Sequence, residues 1–353
     1  MNPFVTLVKA HAHKYPLMQP CDVVKLLYQH EFGGGHLVTD EALSLQRLRA
    51  EAASLAADAG SPLREDIGNG YERLYLSPAG RQKLSLELLN RIFIASSKHA
   101  HGTQEAFQDK LAILRGMAAE HIFTFSISDL DCYLRQYREA GYPAVSHSAG
   151  YVSAYHPAYR VVCKRYMQLL PLICRIGLLL KQKQHVIVAI DGNAAAGKTT
   201  AAALLGDLFD LNIIHMDDFF LPPALRNEAR LREPGGNIHY ERFETEVLLP
   251  LSQEVPFSYH IFDCEKGGYS GKRIVSPKKL TLIEGSYSLH PRFRAQYDLT
   301  SFLSIDAREQ KRRILKRDGA HALDIFLKRW IPMEQLYFDG CSVREHCDFI
   351  LHT

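Results

Sequence analysis

Residues His185 to Leu204 read HVIVAIDGNAAAGKTTAAAL, and the change of character along that stretch decides the fold. Val186, Ile187, Val188 and Ile190 are β-branched and suit a buried parallel strand. The loop that follows, Gly192, Asn193, Ala194, Ala195, Ala196, Gly197, Lys198, Thr199, fits G-x-x-x-x-G-K-[ST] at every fixed place. Gly192 lets the chain turn without a Cβ clash, and Ala196 and Gly197 are small enough for successive backbone N–H groups to wrap a phosphate. An alanine-rich helix opening at Lys198 and continuing through Thr200 adds the positive end of its dipole. Lys198 is placed to reach the β and γ phosphates, and the Thr199 hydroxyl to take one Mg²⁺ position. The alternative, a chance glycine turn, lacks a reason for the strand before it and the helix after it.

Outward from the loop the strand–helix rhythm continues. LNIIHM, Leu211 to Met216, predicts a second strand that delivers Asp217 and Asp218 to the carboxyl edge of a parallel sheet. There Asp217 can accept a proton from an attacking hydroxyl or help hold Mg²⁺. The bland reading is a turn capped by Asp. Leu280 to Ile283 predicts a third strand ending in Glu284 and Gly285, with Glu284 a further Mg²⁺ carboxylate, bound to the ion directly or through its water. Ser301 to Ile305 and Asp348 to Leu351 predict the last two. Between them AREQKRRILKRDG places Arg308, Arg312, Arg313 and Arg317 over about half the circumference of a helix. That face is either solvated or a lid whose guanidinium groups neutralise a migrating phosphoryl group. An insertion, REPGGNIHYERFETEVLLPL, predicts a turn at Pro234, Gly235 and Gly236 and a helix from Tyr240 to Leu251. Phe257 to Phe262 alternates like one strand of a hairpin on the substrate side.

On these motifs residues 185 to 353 resemble the uridine kinase and phosphoribulokinase branch of the P-loop kinases. The resemblance implies an α/β fold, a P-loop NTPase-type parallel sheet flanked by helices, using ATP and Mg²⁺. It assigns Asp217 as catalytic base touching Mg²⁺, matches Glu284 and Gly285 to the family's E-G, and matches Arg312, Arg313 and Arg317 to its arginine lid. The family's ribose-holding N-x-D is met by Asn237, Ile238 and His239, with His where Asp is usual. Its Tyr-Asp on the hairpin is met by Phe262 and Asp263. Asp218, His239, Tyr240 and Phe262 are therefore the expected substrate contacts.

Residues 1 to 184 carry helix signals instead and predict a mostly α-helical domain of unassigned role. Helices are expected from Asp22 to Tyr28, Asp40 to about Asp58 after a Thr39 cap, Gln82 to Ser97, Gln104 to Glu120, Ser128 to Gly141, and Pro157 to Leu180 with a break at Pro171. A GNG turn at Gly68 to Gly70 leads into YERLYL, which suits strand or helix. The run Glu31, Phe32, Gly33, Gly34, Gly35, His36 reads best as a flexible helix exit, although polyglycine beside a histidine can also receive an anion. SHSAGYVSAYHPAYR reads as a loop docking onto the second domain, with Pro157 opening the next helix.

The balance of the 353 residues is that of an ordinary globular protein. A formal net charge of +3 spread over both signs gives no reason to expect nucleic acid or an anionic membrane as partner. Seven scattered cysteines without C-x-x-C spacing argue against a disulfide framework or a zinc site, and point to a reducing cytoplasm. Met167 to Leu180, the most apolar segment, is interrupted by Pro171 and Arg175 and too short to span a bilayer. These readings converge on a kinase acting on the hydroxyl of a small metabolite, a nucleoside or ribose-bearing compound. The competing reading is a regulatory protein in which ATP occupancy controls the helical half.

Overall fold

The computed structural model describes residues 2–35, 40–55, 62–77, 84–99, 101–264 and 266–353. Contacts divide the chain into two units, Met1–Met167 and Gln168–Thr353.

The first unit is mostly helical around a small sheet. Its helices include Pro3–Lys14, Pro20–Phe32, Glu41–Ala53, Leu86–Lys98, Gln104–Ala119, Ile127–Glu139 and Ala149–Tyr155. Two expected caps shift by a short distance. Asp22 is the third residue of its helix and closes a capping box with Gln19, and Ser126, paired with Asp129, takes the role expected of Ser128. Asp40 caps Glu41–Ala53 through Leu43 N–H. Thr39, His36 and residues 56–61 and 78–83 lie outside the described residues.

Strands β1 (Arg64–Gly68), β2 (Tyr71–Tyr75) and β3 (Tyr159–Cys163) form an antiparallel sheet in that order. Gly68, Asn69 and Gly70 all have positive φ, the backbone that a tight hairpin between right-twisted strands needs, so YERLY is a strand. The helix expected from Pro157 is corrected: Tyr159–Cys163 pairs with β2 across all five residues, and Val161 and Val162 are buried in that sheet. β-branched residues with a partner strand available go to the sheet whatever the helical pattern downstream. The segment before it folds inside the same unit, where His147 bonds Asp22 and the Tyr159 hydroxyl, at 2.9 and 2.7 Å. Arg73 is buried beside it, donating to Gln29 Oε1 and Glu65 and lying over the Tyr159 ring.

The second unit is an α/β P-loop NTPase-type fold. Its strands are β4 (Val186–Gly192), β5 (Asn212–His215), β6 (Phe257–Asp263), β7 (Gly268–Val275), β8 (Leu280–Glu284), β9 (Leu299–Ser304) and β10 (Phe349–His352). Five of them make a parallel sheet of order β10-β9-β4-β8-β5. β6 and β7 form the separate antiparallel hairpin. Helix Leu170–Gln182, read from sequence with the first half, belongs to this unit and buries Leu172, Ile173, Ile176 and Leu179. Pro171 sits in its first turn, where a missing N–H costs nothing. The expected helix from Tyr240 is present in three parts, Tyr240–Phe243, a π-helical Glu244–Leu248 and Leu249–Ser252. Asp348 precedes the last strand and accepts from the Thr300 N–H and hydroxyl, pinning β10 beside β9.

Candidate functional site

The register of the parallel sheet brings the acids to the loop. Glu284 at the end of β8 lies opposite Ile190 of β4 and His215 of β5, so Asp217, two residues past β5, emerges on the same edge. Gly192 is fixed by close approach as well as by its φ of 142°: a Cβ there would stand 2.2 Å from the Leu303 carbonyl oxygen of β9. Gly285, with φ 136°, has Met216 Cβ 2.9 Å from where its own Cβ would be. Both glycines are therefore required by the packing of the strand ends.

The loop is braced from below. Asp191, fully buried, accepts from Gly192 N–H at 2.7 Å, from Leu289 N–H at 3.0 Å and from the Tyr337 hydroxyl at 2.8 Å. Its burial raises the carboxyl pKa, while the Lys198 charge opposes the rise. Glu334, from helix Ile331–Gly340, accepts from Ala194 N–H at 3.0 Å and from the Ser286 hydroxyl at 2.8 Å, and burial raises its pKa too. Gln310 and Thr353 donate to the Ala194 and Ala196 carbonyls. Lys198 Nζ folds onto the Gly192 and Asn193 carbonyls, at 2.7 and 3.1 Å.

Above the loop is a cleft of about 790 Å³. Ala194, Ala195, Gly197, Lys198, Thr199 and Thr200 line it, together with Asp217 and Glu284. Gly192 and Ala196 are buried beneath that surface, and neither they nor Asn193 line the cleft. The Thr199 hydroxyl lies 3.2 Å from Glu284 Oε1, and His215 Nδ1 lies 2.5 Å from the same oxygen. That hydrogen bond raises the His215 pKa against the effect of burial. Asp217 is open to the cleft but crowded by protein on its other sides. This desolvation pushes its pKa up to about 6, with Lys198 opposing and Glu284 assisting.

Arg312, Arg313 and Arg317 reach the same cleft with Lys316. They are carried on helix Ala307–Ile325, which Asp306 caps and Gly319 breaks with a φ of 84°. Arg312 and Arg313 pair with Glu309 of their own helix and Arg317 with Asp318; such exposed pairs are worth little and exchange readily for a stronger anion.

The expected substrate contacts separate. Asn237 lines the cleft, with its Oδ1 buried and free of any hydrogen-bond partner. His239 does not; its Nδ1 accepts from Arg242 N–H at 3.4 Å as the cap of the helix that begins at Tyr240. Tyr240 is buried with Arg230 stacked 4.2 Å from its ring centroid. Phe262 is buried in the hairpin, and Asp218 is turned toward Arg273 at 3.6 Å. In their place the wall holds Arg226, Tyr287, Phe326, Arg329, Trp330 and Met333. Asp191 stands between the β-branched run and the loop, and its local sequence assigns it no role. Glu334 and Trp330 carry no motif, and only the fold brings Glu334 to Ala194 and Trp330 to the cleft wall.

No family model matches the chain. Among curated proteins it is similar to Uridine kinase-like protein 4 of Arabidopsis thaliana, at 28% identity over 145 residues, covering 39% of the chain and 31% of that protein. The chain thus spans about a third of that relative's length. Among solved structures it is similar to one described as a possible uridine kinase from Bacillus stearothermophilus. There the TM-score is 0.37 and the identity 21%, over 51% of this chain and 98% of the other. It is also similar to TT1252 from Thermus thermophilus, with a TM-score of 0.31 and 16% identity over 48% and 90% of the two chains. The curated match bears out, over part of the chain, the resemblance to uridine kinase-like P-loop kinases.

Proposed function

We propose that the chain is an ATP- and Mg²⁺-dependent kinase that phosphorylates a hydroxyl of a small metabolite, a nucleoside or ribose-bearing compound. The observation that carries this reading is the meeting of Lys198, Thr199, Glu284, Asp217 and the arginines of a following helix in one cleft above a glycine-bounded loop. The residues fit the groups the reading requires. Loop amides, Lys198 and the helix that opens there suit a triphosphate. Thr199, Glu284 and Asp217 suit Mg²⁺, which takes one or two carboxylates plus phosphate oxygens. No cluster of three His, Cys, Asp or Glu side chains among the described residues makes a protein-only cage. When bound, the ion would offset charge on the transferring group.

The protein's own part is positioning and proton handling. Asp217, whose pKa the surrounding protein raises by desolvation, is suited to take the acceptor proton as the hydroxyl attacks. Lys198 has carbonyl partners it can exchange for phosphate oxygens, and Arg312, Arg313 and Arg317 can leave Glu309 and Asp318 for the moving phosphoryl group. A panel of nucleosides and sugars assayed for ADP release tests the reading: ATP consumption should depend on a second small molecule and vanish in Lys198→Ala. Turnover near the wild-type rate in that variant would refute it. No helix of the described residues is long and apolar enough to cross a membrane.

A further inference from the structure

Part of the cleft wall is built of large apolar side chains. Phe326, Trp330 and Met333 line it, all three half-buried. They stand on the stretch where helix Ala307–Ile325 passes through a π-helical Phe326–Trp330 into helix Ile331–Gly340. A π turn is a rare local geometry, found mostly as single turns inside α-helices and frequently at functional sites. The Arg329 guanidinium lies 4.6 Å from the Trp330 ring centroid and covers one face of the indole. Among the described residues no aromatic ring packs on Phe326 or Trp330. Leaving such side chains half-exposed forgoes on the order of 1 kcal/mol each of burial, and Met333 adds a polarisable thioether that contacts ring edges well.

We propose that Phe326, Trp330 and Met333, with Arg329, form a stacking platform for the planar heteroaromatic base of a nucleotide or nucleoside. The inference rests on the kinase reading above and assigns to the cleft a recognition element that the phosphate loop and the acids do not supply. Every base has a π-face, so the platform takes a base without reading its hydrogen-bonding edge; a cation beside the indole strengthens the contact. The base belongs either to the phosphate donor or to the acceptor. Both have the chemistry the platform needs, and they differ in which ligand brings the ring.

Trp330 is the chain's sole tryptophan, so the emission of the full-length wild-type protein reports on this position without a variant. With Mg²⁺ present, the protein is titrated with inorganic tripolyphosphate, with ATP, and then with uridine or D-ribose at saturating tripolyphosphate. A donor-side platform gives a change of Trp330 emission with ATP that tripolyphosphate does not produce. In calorimetry, Trp330→Leu then weakens ATP by about tenfold and leaves tripolyphosphate affinity unchanged. An acceptor-side platform gives an emission change with uridine that D-ribose does not. Equal affinity and equal emission for ATP and tripolyphosphate, with no response to uridine, overturn the proposal while leaving the kinase reading in place. Failure of ATP and tripolyphosphate alike to bind removes the kinase reading and the platform with it. Phe326→Leu, which keeps the reporter, repeats the emission titration should Trp330→Leu not fold.

Discussion

Asp191→Asn isolates the brace beneath the phosphate loop. The carboxylate accepts three hydrogen bonds, from Gly192 N–H, Leu289 N–H and the Tyr337 hydroxyl, the last two on Oδ2. An amide keeps one oxygen. If that oxygen stays on Gly192, the new NH₂ group faces the Leu289 N–H donor, while the Tyr337 hydroxyl can rotate to accept from it. One buried N–H is then left without a partner, at about 1–3 kcal/mol, and the remaining bonds lose their charge assistance. Relief of the burial that raises the Asp191 pKa returns part of this. The expected net loss is about 2 kcal/mol, a large share of a typical domain stability. Urea unfolding followed by Trp330 emission reports on the Gln168–Thr353 unit that holds the site, and the midpoint should fall by about 1 M. A shift equivalent to less than about 0.5 kcal/mol would show that the three bonds do not hold the loop.

Further expectations concern the acids, the cap and the first unit. Asp217→Asn should lower turnover by about 10² with ATP affinity retained, whereas Asp218→Asn, whose carboxylate faces Arg273, should be mild; steady-state kinetics with the reverse ranking would move the base by one residue. His239→Asp should leave acceptor Kd and its pH profile unchanged, because His239 caps a helix and does not line the cleft; tighter acceptor binding would place residue 239 in the acceptor site. His30, buried and with Lys110 nearby, has its pKa pushed down to about 4, although Glu31 and Asp66 pull the other way. The unfolded chain therefore takes up a proton below about pH 6.5 that the folded chain refuses until about pH 4, and stability is lost as pH falls through that window. Urea melts followed by circular dichroism should show the Met1–Met167 unit about 2 kcal/mol less stable at pH 5 than at pH 7, attributable to His30 if His30→Gln removes that difference.

The phosphate loop was legible because its function is local: eight consecutive residues must supply the turn, the amides, the lysine and the hydroxyl, and each requirement fixes a residue type. Asp217 and Glu284 were legible for a related reason, since a parallel sheet delivers the ends of its strands to one edge whatever lies between them. Arg312, Arg313 and Arg317 were visible as a helical face, and the fold puts them on the cleft. Tertiary structure decided what depends on a partner distant in sequence. Tyr159–Cys163 became a strand because β2 offered it an edge, and His239 went to a cap because its neighbour was a helix start rather than an open wall. Asp191, Glu334 and Trp330 belong to the site through contacts or a cleft wall built by residues nearly 100 or more positions away. A carboxylate's local sequence does not say which amide it will meet; long-range packing sets that, and with it which of several acids is buried beneath the loop and which opens on the cleft.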